Sequence, residues 1–105
     1  MKIRNHRLHQ DDGTPLPFMR SPNQSAGTIT PEYLVMHYTA GGSAESSIRW
    51  LTDAAARASA HLVISRTGDI TQLVAFNRKA WHAGRSSFAG RRGLNSFSIG
   101  IELAN

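Results

Sequence analysis

Cysteine is absent from the 105 residues. That excludes disulfides, iron–sulfur clusters and thiolate zinc sites within this chain, and leaves only imidazole and carboxylate to hold a transition metal. Long apolar runs are also missing: nothing approaches the roughly 18 residues that a membrane span needs. The opening stretch "MKIRNHRLHQDDGTPLPF" starts basic but has no apolar segment behind it, which is not the pattern of a secretory signal. A cytoplasmic or phage-encoded protein is therefore expected over a secreted one. Internal repeats and low-complexity tracts are lacking as well. What is present, 40% hydrophobic and 18% charged residues, is the composition of one folded domain with a modest core.

Acidic residues are scarce, 7 against 12 lysines and arginines, for a net charge of +5. Much of the excess lies in "RKAWHAGRSSFAGRR", with Arg78, Lys79, Arg85, Arg91 and Arg92. Such a balance suits an anionic partner: nucleic acid, an anionic cell-wall polymer, or simply water as a solubility device. No strand shows the repeated aromatic and basic interleaving of single-strand nucleic-acid binders, so nucleic acid is not the expected partner.

The first 30 residues are polar and hold Pro15, Pro17, Pro22, Gly13 and Gly27. They read as a short edge strand near Ile3 to Leu8 followed by an irregular arm, with the main domain beginning at Pro31. "EYLVMHYT" is an apolar run between Pro31 and the Gly41–Gly42 pair, which predicts a buried strand. In "SAESSIRWL", Ser43 can cap a helix, Glu45 falls in its first turn, and Ala44, Ile48 and Leu51 share one face. "TDAAARAS" fits either a frayed helical continuation or a loop. "AHLVIS" and "ITQLVA" flank "RTGD", where Gly68 can take the positive φ of a hairpin loop, so two antiparallel strands are expected. "FNRKAWHAGRSSFAGRRGLN" is too polar for a core element and reads as a long functional loop. "SFSIGIELAN" alternates strictly and predicts a last strand. The expected class is α/β, a sheet of four or five strands with one clear helix.

Three residues could carry chemistry. His37 ends the first apolar strand beside a glycine turn, where open α/β sheets place ligands; a core histidine bonded to a carbonyl fits equally well. His82 sits beside Trp81 in the polar loop, a pairing suited to sugar or peptide recognition. Glu102 puts a carboxylate in a strand, which costs several kcal/mol by order of magnitude unless it is paired or used. Ser98 and Gly100 share its face and leave room for a ligand, which favours a general acid or base over an ion pair with a loop arginine. His61, opening the second apolar strand, reads better as a buried, hydrogen-bonded structural histidine. No HExxH or helical His pair is present.

Taken together, "VMHYTAGG", "SAHLVISRTGDITQLV", "AWHAGRSSFAGRRGLN" and "SIGIELAN" resemble the N-acetylmuramoyl-L-alanine amidases, zinc enzymes of peptidoglycan breakdown. The resemblance runs from about Pro31 to Asn105 and implies a mixed β-sheet flanked by helices. It implies that His37 is a Zn2+ ligand and Glu102 the catalytic glutamate. It also implies that Trp81, His82 and Asn95 line the substrate groove, with Tyr38, His61 and Arg85 counted among the substrate-binding residues. Ala60 stands where the phage-lysozyme branch has a tyrosine, as in the branch relying on the glutamate. The remaining zinc ligands of the family lie in a later segment, so this chain is expected to be the N-terminal portion of a longer, monomeric enzyme. The substrate implied is peptidoglycan or its muropeptides, whose stem-peptide carboxylates would meet the loop arginines. A non-catalytic peptidoglycan-binding module is the alternative.

Overall fold

The computed structural model describes residues 1–39, 42–84, 87–88 and 90–105. In chain order the strands are β1 (Lys2–Arg4), β2 (Arg7–His9), β3 (Gln24–Ser25) and β4 (Tyr33–Tyr38). Helix α1 (Ala44–Leu51) and a 3-10 turn at Ala54–Ala56 follow. Then come β5 (Leu62–Ile64), β6 (Ile70–Gln72), β7 (Lys79–Ala80), β8 (Ser87–Phe88), β9 (Arg91–Arg92), a 3-10 turn at Leu94–Ser96, and β10 (Ser98–Leu103).

The central sheet has the order β4-β10-β5-β6. β10 runs parallel to both β4 and β5, whereas β6 is antiparallel to β5. The sheet is thus mixed, as expected, and its last strand in sequence is inserted between the first two. Gly68, at φ 87°, closes the β5–β6 hairpin. Ser43 caps α1 by accepting a hydrogen bond from the Ser46 amide at 3.1 Å, and Arg49 lies in the last turn, where it complements the helix dipole.

Alternation along each strand divides the core between the two faces of the sheet. Ala60, Val63, Leu73, Val74 and Ala80 pack with Leu51, Ile48 and Ala44 of α1. On the other face Leu62, Phe76, Ile99 and Ile101 pack with Leu8 of the N-terminal hairpin.

Two sequence expectations need correction. The segment Ile3 to Leu8 is not one edge strand but a hairpin: β1 and β2 pair antiparallel around Asn5 and His6, both at positive φ. Asn5 tolerates that conformation, but His6 stands where the usual Asn-Gly hairpin signal has glycine. The arm behind it is also well anchored. Buried Gln72 accepts the Leu8 amide at 2.8 Å and donates to the His6 and Val74 carbonyls at 3.0 and 2.9 Å. Asn23, 2% exposed, donates to the carbonyls of Asp53 and Ala58. Second, β4 is an edge strand, half-buried on one face and open on the other: Leu34, Met36 and Tyr38 are 68%, 45% and 67% exposed. Leu8 covers that side of the sheet at Ile99 and Ile101, and the cover stops short of β4.

Candidate active site around His37, His82 and Glu102

Parallel pairing sets the geometry of the site. β4 and β10 run side by side with His37 opposite Glu102 and Val35 opposite Gly100. In parallel register, opposed residues point to the same face, so the imidazole and the carboxylate stand together near the C-terminal ends of adjacent strands. Open sheets present ligand sites at such ends. Glu102 is half-buried, and burial raises its pKa above the ordinary carboxylate value while the neighbouring His37 opposes that rise. Among the described residues it makes no ion pair.

The third member comes from the loop after β7. Ser98 and Gly100 were expected to leave room for a ligand; instead the His82 imidazole occupies that space. A Cβ added at Gly100 would lie 2.2 Å from His82 Cγ, and its three nearest atoms all belong to that ring. The smallness of Gly100 therefore serves His82. Two backbone amides hold the loop in place, those of His82 and Ala83, which donate to Asn95 Oδ1 at 3.1 and 2.8 Å. His82 Nδ1 lies 3.0 Å from His37 Nε2, and its Nε2 lies 3.1 Å from Ser98 Oγ. Burial first, then the nearby His37 and His61, push its pKa down to about 4. At pH 7 the ring is neutral.

His61 stands behind this group, its ring centroid 6.0 Å from that of His82. It is 0% exposed. Nε2 donates to the Arg78 carbonyl at 2.7 Å, and Nδ1 accepts the Gly100 amide at 3.1 Å. Burial lowers its pKa, opposed by the Arg78 carbonyl. Both nitrogens are committed to backbone and no surface is open, so this residue is a structural support and does not reach a substrate. Its place among substrate-binding residues is corrected accordingly; the alternation around Leu62 already favoured a buried ring.

Tyr38 is also set apart. Alternation turns it to the face of Leu34 and Met36, opposite that of His37, so it does not join the cluster. Trp81 is half-buried and its indole donates to Ser25 Oγ at 2.9 Å, tying the loop to β3. The side-chain oxygen of Asn95 is engaged by the two loop amides. Arg85 lies outside the described residues. Sequence reasoning took Ser98 only as a space-leaving residue and passed over Leu94; Ser98 Oγ lies against His82 Nε2 and donates to the Leu94 carbonyl at 2.6 Å. A buried serine on the glutamate's face was the available signal.

Among the described residues no three His, Asp or Glu side chains gather closely enough to hold a metal ion. His37 fits as one ligand, because its Nδ1 makes no hydrogen bond among the described residues. A catalytic zinc site takes three protein ligands, so the described residues do not complete one.

Known proteins resemble this chain in sequence and fold. The family model for N-acetylmuramoyl-L-alanine amidase matches residues 27–105. The 1,6-anhydro-N-acetylmuramyl-L-alanine amidase AmpD of Haemophilus influenzae is 62% identical over 47 residues, 45% of this chain and 26% of that protein. A crystal structure of a selenomethionine AmpD derivative superposes with a TM-score of 0.82 at 31% identity, covering 100% of this chain and 66% of that one. AmiD of Escherichia coli, solved with the substrate anhydro-N-acetylmuramic acid-L-Ala-D-gamma-Glu-L-Lys, superposes at 0.64 with 38% identity, over 78% of this chain and 34% of that one. The matched stretch spans about a quarter of the length of the curated AmpD relatives. With the family model covering three quarters of its residues, this chain belongs to the N-acetylmuramoyl-L-alanine amidase family.

Proposed function

We propose that this chain carries part of the active site of an enzyme that hydrolyses the amide between the lactyl group of N-acetylmuramic acid and L-alanine. The substrates are peptidoglycan fragments of the anhydromuropeptide kind named for the AmpD and AmiD relatives. The observation that carries this reading is the pair His37 and Glu102, set opposite each other at the ends of parallel strands.

The metal implied by the family is zinc, with His37 as one ligand and the others outside the described residues. When bound, zinc supplies Lewis acidity toward the amide carbonyl and toward water. Glu102 moves the proton. Its carboxylate takes one from the attacking water as the carbon–oxygen bond forms, then delivers it to the amide nitrogen as the carbon–nitrogen bond breaks. A carboxylate raised by burial suits both halves, since it holds the proton more firmly than a free surface glutamate would. Trp81, Asn95 and the arginines of the loop contribute to the groove on this reading.

The test uses the zinc-loaded intact protein and an anhydromuropeptide. Release of a peptide with a free L-alanine amino group is expected, and Glu102→Gln should lower the rate at least ~100-fold. No release by the zinc-loaded protein, or an unchanged rate in the variant, refutes the proposal. A second reading is a non-catalytic muropeptide-binding module. It predicts binding that a chelator does not alter.

A further inference from the structure

For a neutral His82 ring, the hydrogen bonds around it have one consistent set of directions. The Leu94 carbonyl can only accept, so the 2.6 Å bond from Ser98 uses the hydroxyl proton. Ser98 Oγ then has only lone pairs left for its 3.1 Å contact with His82 Nε2, so that nitrogen must carry a proton. A neutral imidazole has one N–H, so His82 Nδ1 is a bare acceptor. The 3.0 Å contact between that atom and His37 Nε2 then requires the proton to sit on His37.

We propose that Ser98 and the Leu94 carbonyl fix the proton order along Ser98, His82 and His37, so that His37 keeps its Nε2 proton and offers the lone pair of Nδ1 to a metal ion. Ser98 and His82 are positioning residues in this scheme. Metal-bound histidines commonly donate the second ring N–H to a carboxylate, a backbone carbonyl or water, which sets both tautomer and ring orientation. Here a neutral imidazole takes that place. The rest of the neighbourhood keeps that imidazole from turning. The Gly100 backbone presses on one side of the ring, Asn95 holds the loop amides, and the His61 ring stands 6.0 Å away. A ring flip at His82 would bring carbon against Ser98 Oγ and His37 Nε2 and forfeit both bonds.

The metal half of this inference rests on the reading of His37 as a zinc ligand; the proton order does not. Long-range nitrogen–proton NMR correlations on the full chain, labelled with nitrogen-15 and free of metal at pH 7, read the tautomers directly. His37 and His82 should both show a protonated Nε2 and an unprotonated Nδ1. A protonated Nδ1 on either ring overturns the proton order. In Ser98→Ala the His82 signals should move toward a mixture of tautomers, and in Ser98→Thr return to the wild-type pattern. An unchanged pattern in Ser98→Ala overturns the role of the serine, and the wild-type spectrum decides the order should that variant fail to fold. Zinc chloride titrated into the intact protein, labelled in the same way, should shift His37 Nδ1 and leave its Nε2–H in place, with affinity about tenfold weaker in Ser98→Ala. Coordination through Nε2 overturns the metal half. A titration that moves neither nitrogen overturns that half and the zinc reading of His37 together, leaving the proton order to the metal-free spectra.

Discussion

Gly100→Ala tests whether the site is built around the His82 ring. The backbone at Gly100 lies outside the left-handed region, so alanine strains nothing there by itself. The added Cβ, however, would lie 2.2, 2.5 and 2.6 Å from Cγ, Cδ2 and Nδ1 of one rigid ring. Restoring ordinary contact requires a movement of roughly 1 Å or more. That movement breaks the 3.0 Å bond to His37 and the 3.1 Å bond to Ser98. Overpacking of this kind costs about 1–3 kcal/mol, and the two hydrogen bonds add about 1 kcal/mol each. A loss near 4 kcal/mol is a large share of the ~5–15 kcal/mol that holds a small domain together, and corresponds to a melting point lower by about 15 °C or more. Urea unfolding and thermal melting followed by circular dichroism measure it. The control is the same substitution in a His82→Ala background. With the ring gone, Gly100→Ala should cost about nothing, or stabilise slightly by reducing the freedom of the unfolded chain. An equal loss in both backgrounds, or no loss in either, would show that the ring does not press on Gly100.

Three further outcomes are expected. His82 has a folded-state pKa depressed from 6.5 to about 4, so its contribution is present above pH 6.5 and lost as pH falls toward 4. That loss is about 2 kcal/mol after allowing for partial solvent screening. Urea midpoints measured from pH 7.5 to 4 should fall less steeply in His82→Asn, the remaining slope coming in part from His61. Glu102 has the opposite sign: its pKa is raised, so its contribution is present below the unfolded value and lost as pH rises through the folded one. Glu102→Gln should therefore stabilise the chain slightly at pH 7, by less than ~1 kcal/mol, and the advantage should vanish by pH 4 in the same titration. Gln72→Leu leaves the Leu8 amide and the Val74 carbonyl without their side-chain partner, at about 1–3 kcal/mol for each group that stays buried, while the His6 carbonyl keeps the Phe76 amide. Hydrogen exchange should show the N-terminal hairpin opening first, with the Leu8 amide losing protection before those of β10.

Local signals carried much of the fold. Ser43, Glu45 and the Ala44, Ile48, Leu51 stripe act within two turns of one another, and α1 forms where they place it. Gly68 likewise fixes its own hairpin. The Asn5–His6 turn was easy to overlook because Asn5 is followed by histidine and not by the glycine that marks a two-residue hairpin. The exposure of Leu34, Met36 and Tyr38 was hidden for a different reason: an apolar run reports affinity for a covering layer, not whether that layer is adjacent. At the site, the chain order singled out His37, His82 and Glu102 as residues with chemistry to offer. Which of them touch depends on β10 entering the sheet between β4 and β5, a pairing between segments some 65 residues apart in sequence. Hence Gly100 looked like an empty space, when the residue that fills it lies in another loop. The roles of Ser98 and Gln72 belong to the same class. Each is a polar side chain whose role depends on a partner brought in from another segment, the His82 ring for Ser98 and the Leu8 amide and His6 carbonyl for Gln72.

The two edges of the central sheet are finished differently. Along β6 the arm lies alongside, with the Met19 amide donating to the Gln72 carbonyl and the Gln72 amide to that of Pro17, so that border is sealed. Along β4 no described strand pairs with the outer side, and the adjoining surface is Leu34, Met36 and Tyr38. An open border beside an apolar surface is a template for adding a strand from another molecule. The chain's net charge of +5 repels a second copy, and repulsion of that kind is screened within about 10 Å at 0.1 M salt. Added salt therefore weakens the repulsion that opposes a meeting of two such borders.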